Sequence, residues 1–416
     1  LKIFYACGAS DGIAEYERLR DAVPPAALAQ TYTSQFLRLC CDHGIEALLV
    51  FRTRDKRSLT ASGLRFLSRP VPFSNRTGLL YHLGQLYFEL WLVWRACLYG
   101  PDVALLRDSS HWFAFGLMRL FGIRLIPTLH NTLWPPNYRA RGWGSRVVRL
   151  LNARFFRTSC SSVLVVSPRV AQQVRSLTAT AAPPVVRFRP YYPGEYFAGT
   201  GEPDPQARPF RILYVGRMTT GKGVLTALLV AKSLRDLGAL DFRLDLCGDG
   251  PALAAVLRRI ELDDLSSRVT VHGHCDAGRL LSLYQACHVV LVPTTSRFNE
   301  GLAKVAAEAV ICLRPPIVSS VCPISDEIVD SAVIVGGDDP EEYVRAVECL
   351  SRDPERYNAL VRNCYETRGQ YLDSENSFGA AVADALGLGA GGASSRRDPG
   401  PDGHDQDEPR CLRQRQ

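Results

Sequence analysis

The chain has 416 residues, 46% apolar and 22% charged, with a net charge of +7. This composition fits a globular protein of two ordinary domains and excludes a disordered, collagen-like or disulfide-stapled chain. No uninterrupted apolar run reaches the roughly 18 residues of a membrane span; the nearest candidate, Thr77 to Tyr99, carries His82, Gln85, Glu89 and Arg95 and reads as a buried or amphipathic helix.

In chain order, KIFYA (2–6) reads as a first strand and not as a signal peptide. A helix over Ala26 to Asp42 is stopped by Gly44 and followed by strand EALLVF (46–51). Helix 79–99, strand VALLRD (103–108), helix 111–121, strand RLIPTL (124–129), a helix near 145–158 and strand SVLVVS (162–167) complete a first domain over 1–190. A linker spans 191–209, where Glu195 to Pro209 (EYFAGTGEPDPQARP) is rich in Pro, Gly and charge. A second alternating series runs through 210–372, with strands FRILYV (210–215), FRLDLC (242–247), RVTVH (268–272), HVVLVP (288–293), PIVSS (316–320) and AVIVG (332–336), and helices near 339–351 and 353–371. From 388 to 416 the chain has almost no large apolar residue and reads as a disordered tail. The expected fold class is therefore α/β, as two Rossmann-like doubly wound domains facing a cleft.

Charge is uneven. Ser109 to Gly194 holds twelve arginines and no Asp or Glu, which predicts an anionic partner. The segment Ser145 to Arg157 places Val147, Val148, Leu151 and Phe155 on one helical side, with Arg146, Arg149, Arg154 and Arg157 mostly on the other. That pattern is a solvated cationic face or a site for an anionic membrane surface. No nucleic-acid partner is expected, because no aromatic-basic reader motif accompanies the charge. The thirteen cysteines include no C-x-x-C pair, and His272-Gly273-His274-Cys275 lacks the second half of a zinc site, so the thiols read as reduced core filling.

Two motifs carry chemistry. The first, Gly216-Arg217-Met218-Thr219-Thr220-Gly221-Lys222-Gly223, follows a strand and opens a helix. Its amides and two cations suit a phosphate anion. It is one residue from a P-loop, but Gly223 stands where a magnesium-binding hydroxyl is needed. The second motif places Glu300 before a helix and Glu308 on it, two turns along on roughly the same side, in NEGLAKVAAEA. Alone it also reads as a capping acid plus a solvated one. Between them, Gly248-Asp249-Gly250 lacks a third glycine, since Leu253 stands there; it is either a tight turn or a backbone that a base or ribose can approach. His130 ends a first-domain strand and is either structural or functional. The tail's Asp405-Gln406-Asp407 lacks the rigid scaffold of a metal site.

Arg217, Lys222, the G-D-G turn, Val271-His272-Gly273, LLSLYQACHVVLVP (280–293) and E-x7-E resemble the second half of a GT-B, family 4 (glycosyl transferases group 1) retaining glycosyltransferase. The resemblance covers Phe210 to Gly336 well, and the first domain mainly at Thr128-Leu129-His130-Asn131 and Val165-Val166-Ser167. It implies an acceptor domain followed by a nucleotide-sugar donor domain whose last helix packs back on the first. Arg217 and Lys222, with Gly216, would hold the donor diphosphate, Glu300 the donor-sugar hydroxyls and Glu308 the ribose. Backbone amides of Gly301, Leu302, Ala303 and Lys304 would reach phosphate and sugar, the backbone near His272 the base, and His130 the reacting centre; Gly248 and Gly250 complete the donor set. The catalytic group would be His130, Glu300, Arg217 and Lys222. The pattern departs at Ala303, where many relatives carry glycine, at His288, and in the first loop Cys7 to Gly12, which lacks a G-G pair.

The expected activity is transfer of a sugar, with retention, from a nucleotide-diphosphate sugar to a sugar or lipid-linked hydroxyl acceptor in polysaccharide or glycolipid assembly. No metal or cofactor is expected. The expected place is the cytoplasm, peripheral at the inner face of the membrane. A GT-B-like epimerase and a non-catalytic nucleotide-sugar-binding relative are the alternatives.

Overall fold

A computed structural model of the chain describes residues 1–23, 27–136, 142–178 and 182–389. The expected tail therefore lies, from residue 390 on, outside the described residues. Two sheets organise the molecule. The first contains β1 (Lys2–Ala6), β2 (Glu46–Arg52), β3 (Arg57–Ala61), β4 (Leu64–Arg69), β5 (Val103–Arg107), β6 (Arg124–Leu129), β7 (Val163–Val165) and β8 (Val185–Arg187), in the order β3-β4-β2-β1-β5-β6-β7-β8. The second contains β9 (Phe210–Val215), β10 (Phe242–Cys247), β11 (Val269–Gly273), β12 (Val289–Val292), β13 (Pro316–Ser319) and β14 (Val333–Val335), in the order β11-β10-β9-β12-β13-β14.

Helices cover the strands on both faces, so central strands are apolar throughout: Ile3, Phe4 and Tyr5 of β1 are fully buried, as are Val289 and Val290 of β12. The first sheet departs from the all-parallel expectation. β3 pairs antiparallel with β4 through Ser62 and Gly63, both at positive φ (48° and 78°), a two-residue turn whose twist matches a hairpin. The helix expected over Ala26 to Asp42 runs only Tyr32–Asp42, because the Thr31 hydroxyl caps Ser34 N at 3.0 Å. Ala26 of that expectation lies outside the described residues.

In each sheet the chain reverses direction of winding beside the first strand: β1 lies between β2 and β5, and β9 between β10 and β12. Crevices at such points, outside the strands' carboxyl ends, are where doubly wound sheets bind ligands. The two crevices face each other. Arg169 holds them so: its guanidinium forks onto Asp326 at 2.7 Å on both arms and also reaches the Ser320 and Val321 carbonyls. Arg187 and Arg189 both reach Glu327 Oε2 at 3.2 Å. Tyr192, in the expected linker, is buried rather than loose, and its N–H donates to the Tyr371 carbonyl at 3.0 Å.

A last helix, Phe378–Leu386, returns to the first sheet and packs on helix Tyr32–Asp42. Phe378 enters a ring cluster with Tyr32, Phe188 and His130, at centroid distances of 5.1–5.4 Å. Phe378→Ala should lower the free energy of unfolding by about 3 kcal/mol, and Phe378→Leu by much less. Equal urea midpoints for wild type and Phe378→Ala would show that this cluster does not hold the helix.

Candidate active site

The facing crevices enclose a cavity of about 460 Å³. Its walls come from strand ends: Ser10 after β1, Arg107 ending β5, His130 and Asn131 after β6, Gly216 and Arg217 after β9, and Pro293, Thr294, Glu300 and 302–305 after β12. Of the expected residues, His130, Gly216, Arg217, Lys222, Glu300, Leu302, Ala303 and Lys304 line it together.

Lys222 ion-pairs with Glu300 and lies 4.8 Å over the Phe298 ring. Arg217 is exposed and makes no ion pair among the described residues. Thr219 fixes the turn between these cations by accepting from Lys222 N through its hydroxyl at 3.3 Å. On the other wall, helix Lys304–Ile311 opens with no side-chain cap. Its first amides therefore form an anion-favouring end at the cavity. Glu300 stands four residues before that helix, in the loop, and not at its first turn. Ala303 caps the helix at φ 74°, a left-handed conformation that is costly with a side chain and natural for glycine.

Gly301 packs its Cα directly against the first half. A Cβ there would stand 1.8 Å from the His130 carbonyl oxygen. His130 itself is buried, and neither ring nitrogen has a hydrogen-bond partner. Burial first, then Arg107 and Lys304, hold its pKa well below the ordinary imidazole value, so it is neutral at pH 7.

Five expected residues are not in the cavity lining: Gly301, at the contact with His130, and Glu308, Gly248, Gly250 and His272. Glu308 is buried behind it, accepting from the Tyr284 hydroxyl at 2.8 Å and the Tyr192 hydroxyl at 3.3 Å. Burial raises its pKa above the usual carboxylate range, against the lowering effect of Tyr284, Lys304 and Tyr192. Gly248 and Gly250 pack their Cα faces on the next loop, where a Cβ would meet the Gly216 carbonyl at 1.9 Å and the Met218 carbonyl at 2.5 Å. Their glycine character is accounted for by loop packing, the tight-turn alternative. His272 is the penultimate residue of the edge strand β11, and its Nε2 lies 2.7 Å from Asp245.

Conversely, Tyr32, Thr31, Thr33, Arg107 and Ser10 line the cavity without having been expected there. Signals were offered by the first loop, Cys7 to Gly12, which carries Ser10, and by Arg107-Asp108, a charged pair ending an apolar strand. Arg107 Nε donates to Asp108 at 2.9 Å, and its guanidinium lies 5.7 Å over the Tyr32 ring. Among the described residues no set of His, Cys, Asp and Glu could hold a metal ion.

The comparisons with known proteins agree with this geometry. The glycosyl transferases group 1 family matches residues 202–367, and the glycosyl transferase 4-like domain matches residues 29–190. D-inositol 3-phosphate glycosyltransferase of Corynebacterium kroppenstedtii is 26% identical over 189 residues, which are 43% of this chain and 41% of that protein. The match thus spans less than half the length of that relative. Among solved structures, OtsA in its apo form has a TM-score of 0.68 at 13% identity, covering 92% of this chain and 98% of that one. Sucrose-phosphate synthase from Thermosynechococcus elongatus has a TM-score of 0.65 at 17% identity, covering 92% and 98%. Anabaena HepE in complex with UDP has a TM-score of 0.63 at 14% identity, covering 93% and 100%.

Gly301→Ala should keep both sheets folded but force the halves apart, since a methyl group cannot share space with the His130 carbonyl. An unchanged circular dichroism spectrum with a larger radius of gyration by X-ray scattering is the expected result. An unchanged radius would show that the contact does not set the closure. With both halves matched and the fold shared with known transferases, the chain belongs to the group 1 glycosyltransferases and has the GT-B fold.

Proposed function

We propose that the protein transfers a sugar, with retention and without a metal, from a nucleoside-diphosphate sugar to a hydroxyl of a sugar or lipid-linked acceptor. The observation that carries this reading is one cavity holding both a cation pair, Arg217 and Lys222, and an uncapped helix end at Lys304, all at strand ends of the second sheet. A diphosphate bridging them is stabilised as charge develops on it during departure. It also competes with Glu300 for the Lys222 ammonium, which frees the Glu300 carboxylate to accept from donor-sugar hydroxyls. Neutral His130 lies across the cleft, where an acceptor hydroxyl or the sugar can meet its unpartnered ring. Closure at Gly301 limits water at the reacting centre. Glu308 supports the ribose side from behind, through the two tyrosines it holds.

UDP, bound in the Anabaena HepE complexes, is the first nucleotide to test. In a thermal-shift series with UDP, GDP, ADP and NAD, one nucleoside diphosphate should stabilise the wild type with or without magnesium. Arg217→Ala/Lys222→Ala should lose that shift, Glu308→Gln should weaken it, and Glu300→Ala should mainly lower turnover. A shift that the double variant retains, or one that requires magnesium, would sink the assignment.

A separate observation supports peripheral attachment to an anionic membrane in polysaccharide or glycolipid assembly. Helices Gly78–Tyr99 and Trp143–Thr158 flank the 3-10 helix Trp112–Phe121 on one side of the first sheet. Leu79, Leu83, Leu90 and Trp94 form an exposed stripe on the first of these, beside Leu120 (80% exposed) and Trp143 (82%). Arg119, Arg146, Arg149, Arg154 and Arg157 are exposed on the same elements. Their one carboxylate, Glu89, is buried against Ser109 and His111. A face of large apolar groups and arginines, without an exposed acid, repels a second copy of itself and fits acidic lipid headgroups. No described helix is long and apolar enough to cross a membrane. The protein should sediment with phosphatidylglycerol-containing vesicles and not with phosphatidylcholine alone, and Trp94→Ser/Trp143→Ser should abolish this. Equal sedimentation with both lipids, or none with either, would refute attachment.

A further inference from the structure

The cavity holds more positive charge than a donor diphosphate accounts for. Arg107, Arg217, Lys222 and Lys304 line it against a single carboxylate, Glu300. Lys222 already has that carboxylate. Lys304 is the unexplained cation. It is half-buried in the cleft, and burial, only partly offset by Glu308 and reinforced by Arg107, pushes its pKa down to about 8. It makes no ion pair among the described residues, and the oxygens of Glu308 on the same helix accept from Tyr192 and Tyr284.

What the ammonium does touch belongs to the opposite wall. It lies 4.5 Å over the ring of Tyr32, and the Arg107 guanidinium also lies over that ring, at 5.7 Å. Thr31, Tyr32 and Thr33 line the cavity at the start of helix Tyr32–Asp42. A ring face offsets part of the cost of burying a cation but leaves its N–H donors without acceptors. His130, nine-tenths buried and lining the same wall, likewise has two ring nitrogens without partners. Lys304 and His130 thus converge beside Tyr32 without a protein partner, next to Arg107, whose Nε is already held by Asp108 at 2.9 Å.

We propose that Lys304, with Arg107 and the hydroxyl of Thr33, forms a second anion subsite that takes a phosphate or carboxylate carried by one of the reactants. The assignment to a reactant rests on the reading of the cavity as a nucleotide-sugar site. The anionic group has two sources, a charged acceptor such as a sugar phosphate or lipid-linked phosphate, or a uronic acid as the donor sugar. Both present oxyanion oxygens to a cation pair, so the residues select the charge and not the source.

The subsite is tested without any nucleotide. Inorganic phosphate is titrated calorimetrically into the full chain carrying Arg217→Ala/Lys222→Ala, with and without Lys304→Met. Phosphate should bind the double variant, bind at least about ten-fold more weakly once Lys304→Met is added, and recover with Lys304→Arg in its place. The recovery separates loss of charge from loss of fold. Equal affinity with and without Lys304→Met, or no binding to the double variant, overturns the subsite. Failure of the transfer reading shows separately, as failure of every nucleoside diphosphate to bind the wild type. Glucose 6-phosphate binding to the UDP-saturated wild type, lost in Lys304→Met, assigns the group to the acceptor. UDP-glucuronate binding more tightly than UDP-glucose in the wild type, but not in Lys304→Met, assigns it to the donor sugar. If neither preference is seen, the assignment to a reactant is wrong.

Discussion

The arrangement of the molecule depends on one backbone contact across the cleft, Gly301 against the His130 carbonyl. Two doubly wound sheets can face each other at many separations, and the separation decides whether groups on opposite walls share a ligand. A residue without a side chain lets the loop after β12 touch the end of β6 directly. That contact would be transient if nothing else joined the halves. The Arg169 fork, the arginines on Glu327 and the returning helix with Phe378 join them at points away from the cavity. Closure is therefore held from the periphery and gauged at the centre.

The second constraint is the nesting of the loops of the second sheet. Gly223 has no room for a Cβ, which would stand 1.8 Å from the Pro293 carbonyl, and Gly248 and Gly250 are pressed in the same way on the loop that carries Arg217. Three consecutive strand ends thus pack backbone to backbone. This rigidity places a flexible arginine and lysine at defined points without spending further side chains on them. It also explains why the G-D-G turn keeps glycines while standing back from the cavity.

Much of this was legible in sequence because it depends on local pattern. Apolar runs of strand length gave β1, β5, β6 and β9 to β14 within a few residues, and the two glycine- and glutamate-bearing motifs marked one wall of the cavity. Three features were not. The β3–β4 hairpin alternates buried and exposed residues over a short span and hides behind the basic segment Arg52 to Arg57. The helix Phe378–Leu386 is short, and its partner, Gln35 Oε1 accepting from Gly379 N at 3.0 Å, lies over three hundred residues away. Tyr32 and Arg107 enter the site only because β5 ends and helix Tyr32–Asp42 begins at the same crevice, which is a property of topology and not of any motif. Glu308 shows the reverse case. Spacing put it on the side of Glu300, but the two tyrosines that tie it behind the wall come from positions 192 and 284, which no pattern links to it.

The turn Ala303-Lys304 shows why such a chain reveals its class more readily than its substrate. Ala303 keeps the left-handed backbone that glycine would adopt freely, at a cost of about 1–2 kcal/mol that persists only where the surroundings fix the conformation. The amides at the helix start are therefore presented as they would be with glycine. What changes is the side-chain chemistry on the same turn: a buried methyl group at 303 narrows the space, and an ammonium at 304 reaches across to Tyr32. Backbone donors recognise features shared by nucleotide sugars in general, phosphate oxygens above all. Side chains recognise what distinguishes one sugar or acceptor from another. In this site the general features rest on the backbone of the second sheet's loops, and the particular ones on a lysine whose partners lie in the other half of the molecule.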